Sequence, residues 1–463
     1  GNLFLDLATK ENQLEFTTLY AVGRTGKIFL ERPNSHEESS DVAPLLDSIV
    51  REVPPPKNNP DAPFKMLISA LDYDQHLGRI VIGRIFQGRA VSGLKVILNG
   101  QNQTIFTLEK ILLAHGLEKV EVAEAGAGDI VSLTGIGQAK IGQTVSDPKD
   151  TVILTPPAIG EPTLHLELGP NGSPFGGREG KFVTGRQIEE RLIRELETNL
   201  SLHLQKLESG RFRISGRGEL HLAILLESLR REGYEMEVGK PEVITKQVTG
   251  KTYEPVEEIT LSVPSEYQGV IIRELGQRGG QLLKMEPGLV NELEFVYKLP
   301  TRAVLGLRSL LLTATKGTVV LNSQFIGFEP YGAPLPKLRR GVLIASESGT
   351  ALAYGLKTAQ GRGETFVAPA TEVYQGMIVG ENSRGEDLEI NVVKGKKLTN
   401  MRQTATDKEV LLAPPVIFSL EQSLDYLEED ELLEITPKNL RLRKKFLSDI
   451  DRRRARRREE KLT

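Results

Sequence analysis

Apolar positions change their spacing several times along the chain, and each change predicts a different kind of element. Residues 1–15 read as the end of an amphipathic helix, and 15–22 as a short buried strand running into Gly23-Arg-Thr-Gly26. Leu45, Leu46, Ile49 and Val53 share one face of a helix. Pro54-Pro-Pro then stiffens the backbone and predicts a boundary. Over 63–155, short apolar runs alternate with recurring glycines such as Gly78, Gly83, Gly88 and Gly93. Many short strands of this kind predict a closed barrel, since closure removes exposed edges. From Glu161 the pattern turns mixed. A strand over 163–168 precedes a helix capped by Thr184, with Gln187 closing a capping box and Ile188, Leu192 and Leu196 inward. A strand over 212–215 precedes a second helix with Leu222, Leu225, Leu226 and Leu229 inward. Two strand–helix halves predict a split βαβ sandwich. Residues 251–330 repeat the plan, with strands over 258–263 and 292–297, a helix over 267–275, and a second helix opened by Pro300 and ending near Lys316-Gly317. Beyond a linker at 331–336, the stretches 341–349 and 351–356 predict a hairpin. Strands over 372–380 and 388–393 and a helix over 419–427 follow. The expected fold is multidomain: an all-β barrel over 62–157, two α+β ferredoxin-like domains over 158–247 and 248–332, and a mixed, β-rich domain over 333–463.

Charge changes this picture at two places. The chain of 463 residues has a net charge of -3, so nothing general draws it to nucleic acid. Yet 391–408 holds Lys394, Lys396, Lys397, Arg402 and Lys408 against Asp407 alone, with Thr399, Asn400, Gln403, Thr404 and Thr406 between them. Cations for phosphates beside amides and hydroxyls for sugars and base edges are what RNA binding uses. A merely solvated loop is the alternative. The stretch 438–458, with Arg441, Arg443, Lys444 and Lys445 in its first part, carries eleven basic residues against two acids. It predicts a flexible or weakly helical arm for a polyanion. Arg79, Arg84 and Arg89 are outward candidates on the barrel, with solvated surface as their alternative.

Other chemistry is largely excluded. There are no cysteines, which removes disulfides and thiolate metal sites and points to a reducing compartment. Six histidines are scattered, and His221 beside Glu219 reads as a helix-surface residue. No apolar run of membrane length and no signal-peptide pattern occurs. The start at Gly1 without an initiator Met predicts a piece of a longer soluble protein. The glycine-rich loop over 171–184 mimics a phosphate-binding loop, but Phe175 and Phe182 stand where a Walker pattern needs Gly and Ser or Thr. No catalytic residue can be assembled.

Several motifs resemble the TypA/BipA family of ribosome-binding translational GTPases, over nearly the whole chain. Residues 78–96 are similar to the barrel domain shared by translational GTPases. Phe212-Arg-Ile-Ser-Gly-Arg-Gly-Glu-Leu-His-Leu222 resembles the third domain of elongation factor G, and Pro300-Thr-Arg-Ala-Val-Leu-Gly-Leu-Arg308 its fifth. Glu372-Val-Tyr-Gln-Gly-Met-Ile-Val-Gly380 and Lys394-Gly-Lys-Lys-Leu-Thr-Asn-Met-Arg402 resemble a domain peculiar to TypA/BipA. Ala303 stands where the family usually has Gly.

The resemblance implies that 1–53 is the end of a GTP-binding domain, with Val22 and Gly23 at the remnant of its guanine loop. Tyr20 and Ala21 match that segment, while Val22 and Gly23 replace Ser and Ala. It implies GTP and Mg²⁺ for the full-length protein. This chain has no Walker loop, no Asp-x-x-Gly switch and no Asn-Lys-x-Asp motif, so no cofactor and no hydrolysis are expected of it alone. It further implies a monomer in the bacterial cytoplasm or a plastid stroma, docked between the ribosomal subunits and clear of membranes. The barrel would face small-subunit rRNA and the fifth-like domain large-subunit rRNA. The loop 393–408 would reach the acceptor end of A-site tRNA near the peptidyl transferase centre, in ribosome assembly or translation under stress. A ribosome-independent RNA chaperone and an interaction scaffold are the competing functions.

Overall fold

The structure is a computed structural model of the chain. It describes all residues except 1–7, 10, 12–14, 34–39, 56–58, 75, 100, 157–159, 289–290, 336–338, 396–410 and 460–463. The helix expected over 1–15 therefore falls mostly outside the described residues. Two compact units result, 1–157 and 158–463.

In the first unit a hairpin pairs Tyr20–Val22 with Lys27–Phe29 across the turn at Gly23–Gly26. Helix α1 spans Ala43–Glu52. Its predicted apolar face is not a buried one: Leu46, Ile49 and Val53 are all exposed, and Ser48 is the buried residue. Periodicity marks a face without stating what covers it. The β region is an eight-stranded antiparallel sheet in the order Gln101–Thr107, Lys95–Leu98, Thr144–Ser146, Lys65–Asp74, Gly78–Gln87, Ile130–Leu133, Ile111–His115, Glu118–Val122. A ribbon of Arg89–Val91 and Glu124–Gly126 joins it around one core. Gly83 is required there, because a Cβ would lie 2.1 Å from the Leu67 carbonyl oxygen. Register shifts at Lys65/Met66 and Ile68/Ala70 bend the long central strand. Of the barrel arginines, Arg84 lies over the Phe86 ring, Arg89 pairs with Glu124, and Arg79 donates to the Ala139 carbonyl.

The second unit starts with a β-α-β-β-α-β run. Helices α2 (Gly185–Thr198) and α3 (Glu219–Glu232) pack on strands ordered His203–Lys206, Phe212–Gly216, Leu164–Pro170, Met236–Val238. The capping box of Thr184 and Gln187 forms, and Ile188 and Leu192 are buried. The next run orders its strands Val320–Pro330, Lys251–Pro264, Glu292–Pro300, Gln281–Pro287. On it lie α4 (Gln268–Gln277), α5 (Thr301–Val304) and α6 (Leu307–Ala314). The single helix expected after Pro300 is thus two, broken where Gly306 takes φ 67°.

Two expectations for the C-terminal region are corrected. The second arm of the hairpin over 341–356 is a helix, α7 (Ala353–Gln360), which buries Leu356 and Ala359 at helical spacing. Gly355 seats it, because a Cβ there would lie 2.4 Å from the Val392 carbonyl oxygen. The strands Val342–Ala345 and Leu388–Ile390 pair in parallel, with Ile378–Asn382 on the other side of the first. After α8 (Leu420–Tyr426), the first part of the stretch 438–458, expected as a flexible or weakly helical arm, is instead the strand Leu440–Lys444 paired with Glu431–Ile435, while its last part is helical, α9 (Asp449–Glu459). Glu431–Ile435 pairs with Met236–Val238, so the hairpin extends the sheet of residues 164–238. Leu164, Met236, Leu424, Leu433 and Ile435 consequently share one core.

Candidate nucleic-acid interface

The basic stretch leaves the fold from a fixed base. The strand Leu388–Ile390 runs into Val392, which is fully buried, and Lys394 follows as an exposed residue. Lys396, Lys397, Thr399, Asn400, Arg402 and Lys408 lie outside the described residues. The chain is described again from Leu411, and α7 grips both stems. The Leu352 backbone N–H, at the head of α7, donates to the Val392 carbonyl at 2.9 Å. From its other end the Lys357 ammonium donates to the Leu411 carbonyl at 3.0 Å. The Gln360 amide both donates to and accepts from Ala413, at 2.8 and 3.1 Å. The two described stems, at Val392 and at Leu411–Ala413, are therefore both held by a core-packed helix.

Three of the second group of expected RNA ligands, Arg441, Arg443 and Lys444, are engaged internally, which corrects their assignment. Arg443 and Lys444 are 5% and 2% exposed. Arg443 pairs with Glu237 and donates to the Lys444 carbonyl. The Lys444 ammonium sits 2.7 Å from Asp387 and 2.9 Å from Asp430. Burial alone would lower its pKa, but Glu431, Asp387 and Asp430 outweigh burial and hold it above the ordinary lysine value. Arg441 pairs with Glu179 and, at 2.8 Å, with Glu434. Its guanidinium is likewise raised, against burial, by Glu179 and Glu434. None of the three is free for phosphate. Lys445 is exposed, as are Arg456, Arg457 and Arg458 on α9, whereas Arg452 pairs with Glu389.

The acids on the other side of this network explain the glycine-rich loop. Glu235, fully buried, accepts from the backbone N–H groups of Gly177 and Gly180 at 2.8 and 2.9 Å and from the Asn171 amide at 2.7 Å. The N–H groups that a phosphate would use hold a carboxylate of the protein itself. Phe175 from the loop meets Tyr374 edge-on at 4.9 Å and lies under Arg441. The Tyr374 hydroxyl donates to Glu434 at 2.9 Å. The loop thus fastens the C-terminal hairpin, a role no short-range pattern announces. His221 is half-buried, with its Nε2 2.7 Å from the Asn199 amide. Val22 and Gly23 form an open hairpin turn, and a Cβ on Gly23 would meet nothing within 4 Å. Among the described residues, neither this turn nor the occupied glycine-rich loop offers a phosphate cradle.

Comparison with known families matches residues 340–449 to the TypA/BipA C-terminal domain, 251–338 to the elongation factor G C-terminus and 78–146 to elongation factor Tu domain 2. The chain is similar to the large ribosomal subunit assembly factor BipA of Synechocystis, at 42% identity over 96% of this chain and 74% of that protein. Factors of the same name from Salmonella typhimurium and Escherichia coli K12 are 41% identical over 98% of this chain and 75% of theirs. Identity of this extent, with a family-specific domain lying over the basic stretch, places the chain in the TypA/BipA family of translation factors.

Proposed function

We infer that the chain binds the ribosome and acts in large-subunit assembly, with the stretch 393–408 as an RNA-contacting finger. The observation that carries this is the clamped root. The two stems that bound the basic segment are both fixed by α7, as a solvated loop would not need. The relatives' shared name, large ribosomal subunit assembly factor, supplies the partner. The finger is assigned to rRNA and the acceptor end of A-site tRNA near the peptidyl transferase centre. The β unit is assigned to small-subunit rRNA and residues 251–330 to large-subunit rRNA. GTP and Mg²⁺ are not assigned to these residues, which carry none of the phosphate, switch or guanine motifs.

Co-sedimentation with 70S ribosomes at two salt concentrations tests the reading. A variant with Lys394, Lys396, Lys397 and Arg402 all changed to Ala should pellet several-fold less than the parent, and its salt dependence should be shallower. Equal pelleting of the two proteins would move the docking energy to the other domains.

A further inference from the structure

The outer face of α7 has a composition that clamping does not explain. Leu352 and Tyr354 are 41% and 43% exposed, and Leu411, held by Lys357, is 79% exposed. Lys357, one turn along from Tyr354 and bonded to Leu411, is exposed, as are Lys394 beside Gly395 and Arg362 just past the end of α7. A Cβ on Gly395 would lie 3.6 Å from the Leu352 side chain, so the first stem passes directly along this face. No acid occurs in 391–395, in 352–362 or in 411–418, although the chain as a whole holds more acids than bases. An apolar surface meant for a protein partner would not need this one-sided charge. An aromatic ring and aliphatic side chains ringed by cations suit a single-stranded nucleic acid, whose base stacks while its phosphates are neutralised.

We propose that Tyr354, with Leu352 and Leu411 beside it, forms a stacking shelf for one unpaired nucleobase of single-stranded RNA, and that Lys357, Arg362 and Lys394 hold the flanking phosphates. The shelf rests on the reading of the basic stretch as an RNA contact, and adds to it a site that reads a base face rather than charge alone. Tyr354 is a binding residue on the surface, so its removal leaves the fold intact.

The test is fluorescence anisotropy of the 463-residue chain with a roughly 12-nucleotide single-stranded RNA over a range of salt. Tyr354→Ala should weaken binding about tenfold without changing the slope of log Kd against log salt, because stacking releases no counterions. Tyr354→Phe should bind within about twofold of the parent. Lys394→Ala should lower the slope by about 0.7, the value for one phosphate contact on a single strand. A parallel variant with Lys396, Lys397, Arg402 and Lys408 changed to Ala separates the two readings. If that variant binds poorly while Tyr354→Ala binds like the parent, the shelf is overturned and the finger stands. If Tyr354→Phe is as weak as Tyr354→Ala, stacking is overturned, since the ring is retained. If the parent itself binds no RNA, finger and shelf fall together.

Discussion

Arg443 and Lys394 are both cations in basic stretches, and their neighbours in sequence do not tell them apart. What separates them is the partner that the fold brings from afar. Arg443 meets Glu237, more than two hundred residues earlier, and Lys394 stands exposed at the end of a strand. A run of basic residues is legible in sequence as charge. Whether each charge is spent inside the protein depends on acids such as Glu179 and Glu237, which lie in another part of the chain. The internal pairing of Arg441, Arg443 and Lys444 is for that reason not legible in their own stretch of sequence. The consequence can be measured. Arg443→Met leaves Glu237 with Arg211 and the Gly172 N–H but breaks a buried pair, and should cost about 3 kcal/mol of stability in denaturant titration. RNA affinity should stay the same. A large loss of RNA affinity with unchanged stability would return Arg443 to the interface.

At the scale of elements, what was legible was local: capping boxes, inward faces of helices and glycine punctuation. The box at Thr184 and the buried Ile188, Leu192, Leu222 and Leu229 follow from spacing alone. The break between α5 and α6 did not, because it serves a junction between three segments. Gly306 carries the positive φ of that break, and a Cβ on it would come 3.4 Å from Asp425 of α8. Asp425 in turn shares a hydrogen bond with Glu219, the first residue of α3. Burial first, then the hydrogen bond and charge of Asp425, push the Glu219 carboxyl up from 4.5 to about 9, against a lowering by the Gly306 N–H; the charge of Glu421 adds to the rise. Arg278 also bears on Asp425 through its charge and ties the same break by donating to the Ala303 and Leu305 carbonyls. A folded-state pKa above the unfolded one gives stability that is complete below about 4.5 and is lost as pH rises towards 9. The junction should therefore loosen progressively from pH 6 to pH 9. Glu219→Gln, which keeps the donor and cannot ionise, should flatten that dependence and raise Tm at pH 8 by roughly 2–4 °C, the equivalent of about 1 kcal/mol in a domain of this size. A parent and variant with parallel Tm–pH curves would rule out the shared proton.

For the whole molecule, the boundary drawn at the linker near residue 333 separates segments that the structure joins. Composition and proline placement suggest a linker, but they cannot show that a later strand returns to an earlier sheet. Glu431–Ile435 covers the edge of Met236–Val238, and Leu420, Leu424, Leu433 and Ile435 complete the core around Leu164 and Met236. Each such side chain is worth about 1.5–3 kcal/mol on burial. Losing all four, about 6–12 kcal/mol, is comparable to the roughly 5–15 kcal/mol that holds a typical domain folded. A chain ended at Leu335 should therefore lose the cooperative transition of residues 158–247 in calorimetry, while the transition of the first unit survives, because its core lies wholly within residues 64–145. An independent, unshifted transition for 158–247 in the shortened chain would show that the hairpin only decorates the sheet. If the transition is lost, the root of the basic stretch and the sheet of residues 164–238 stand or fall together.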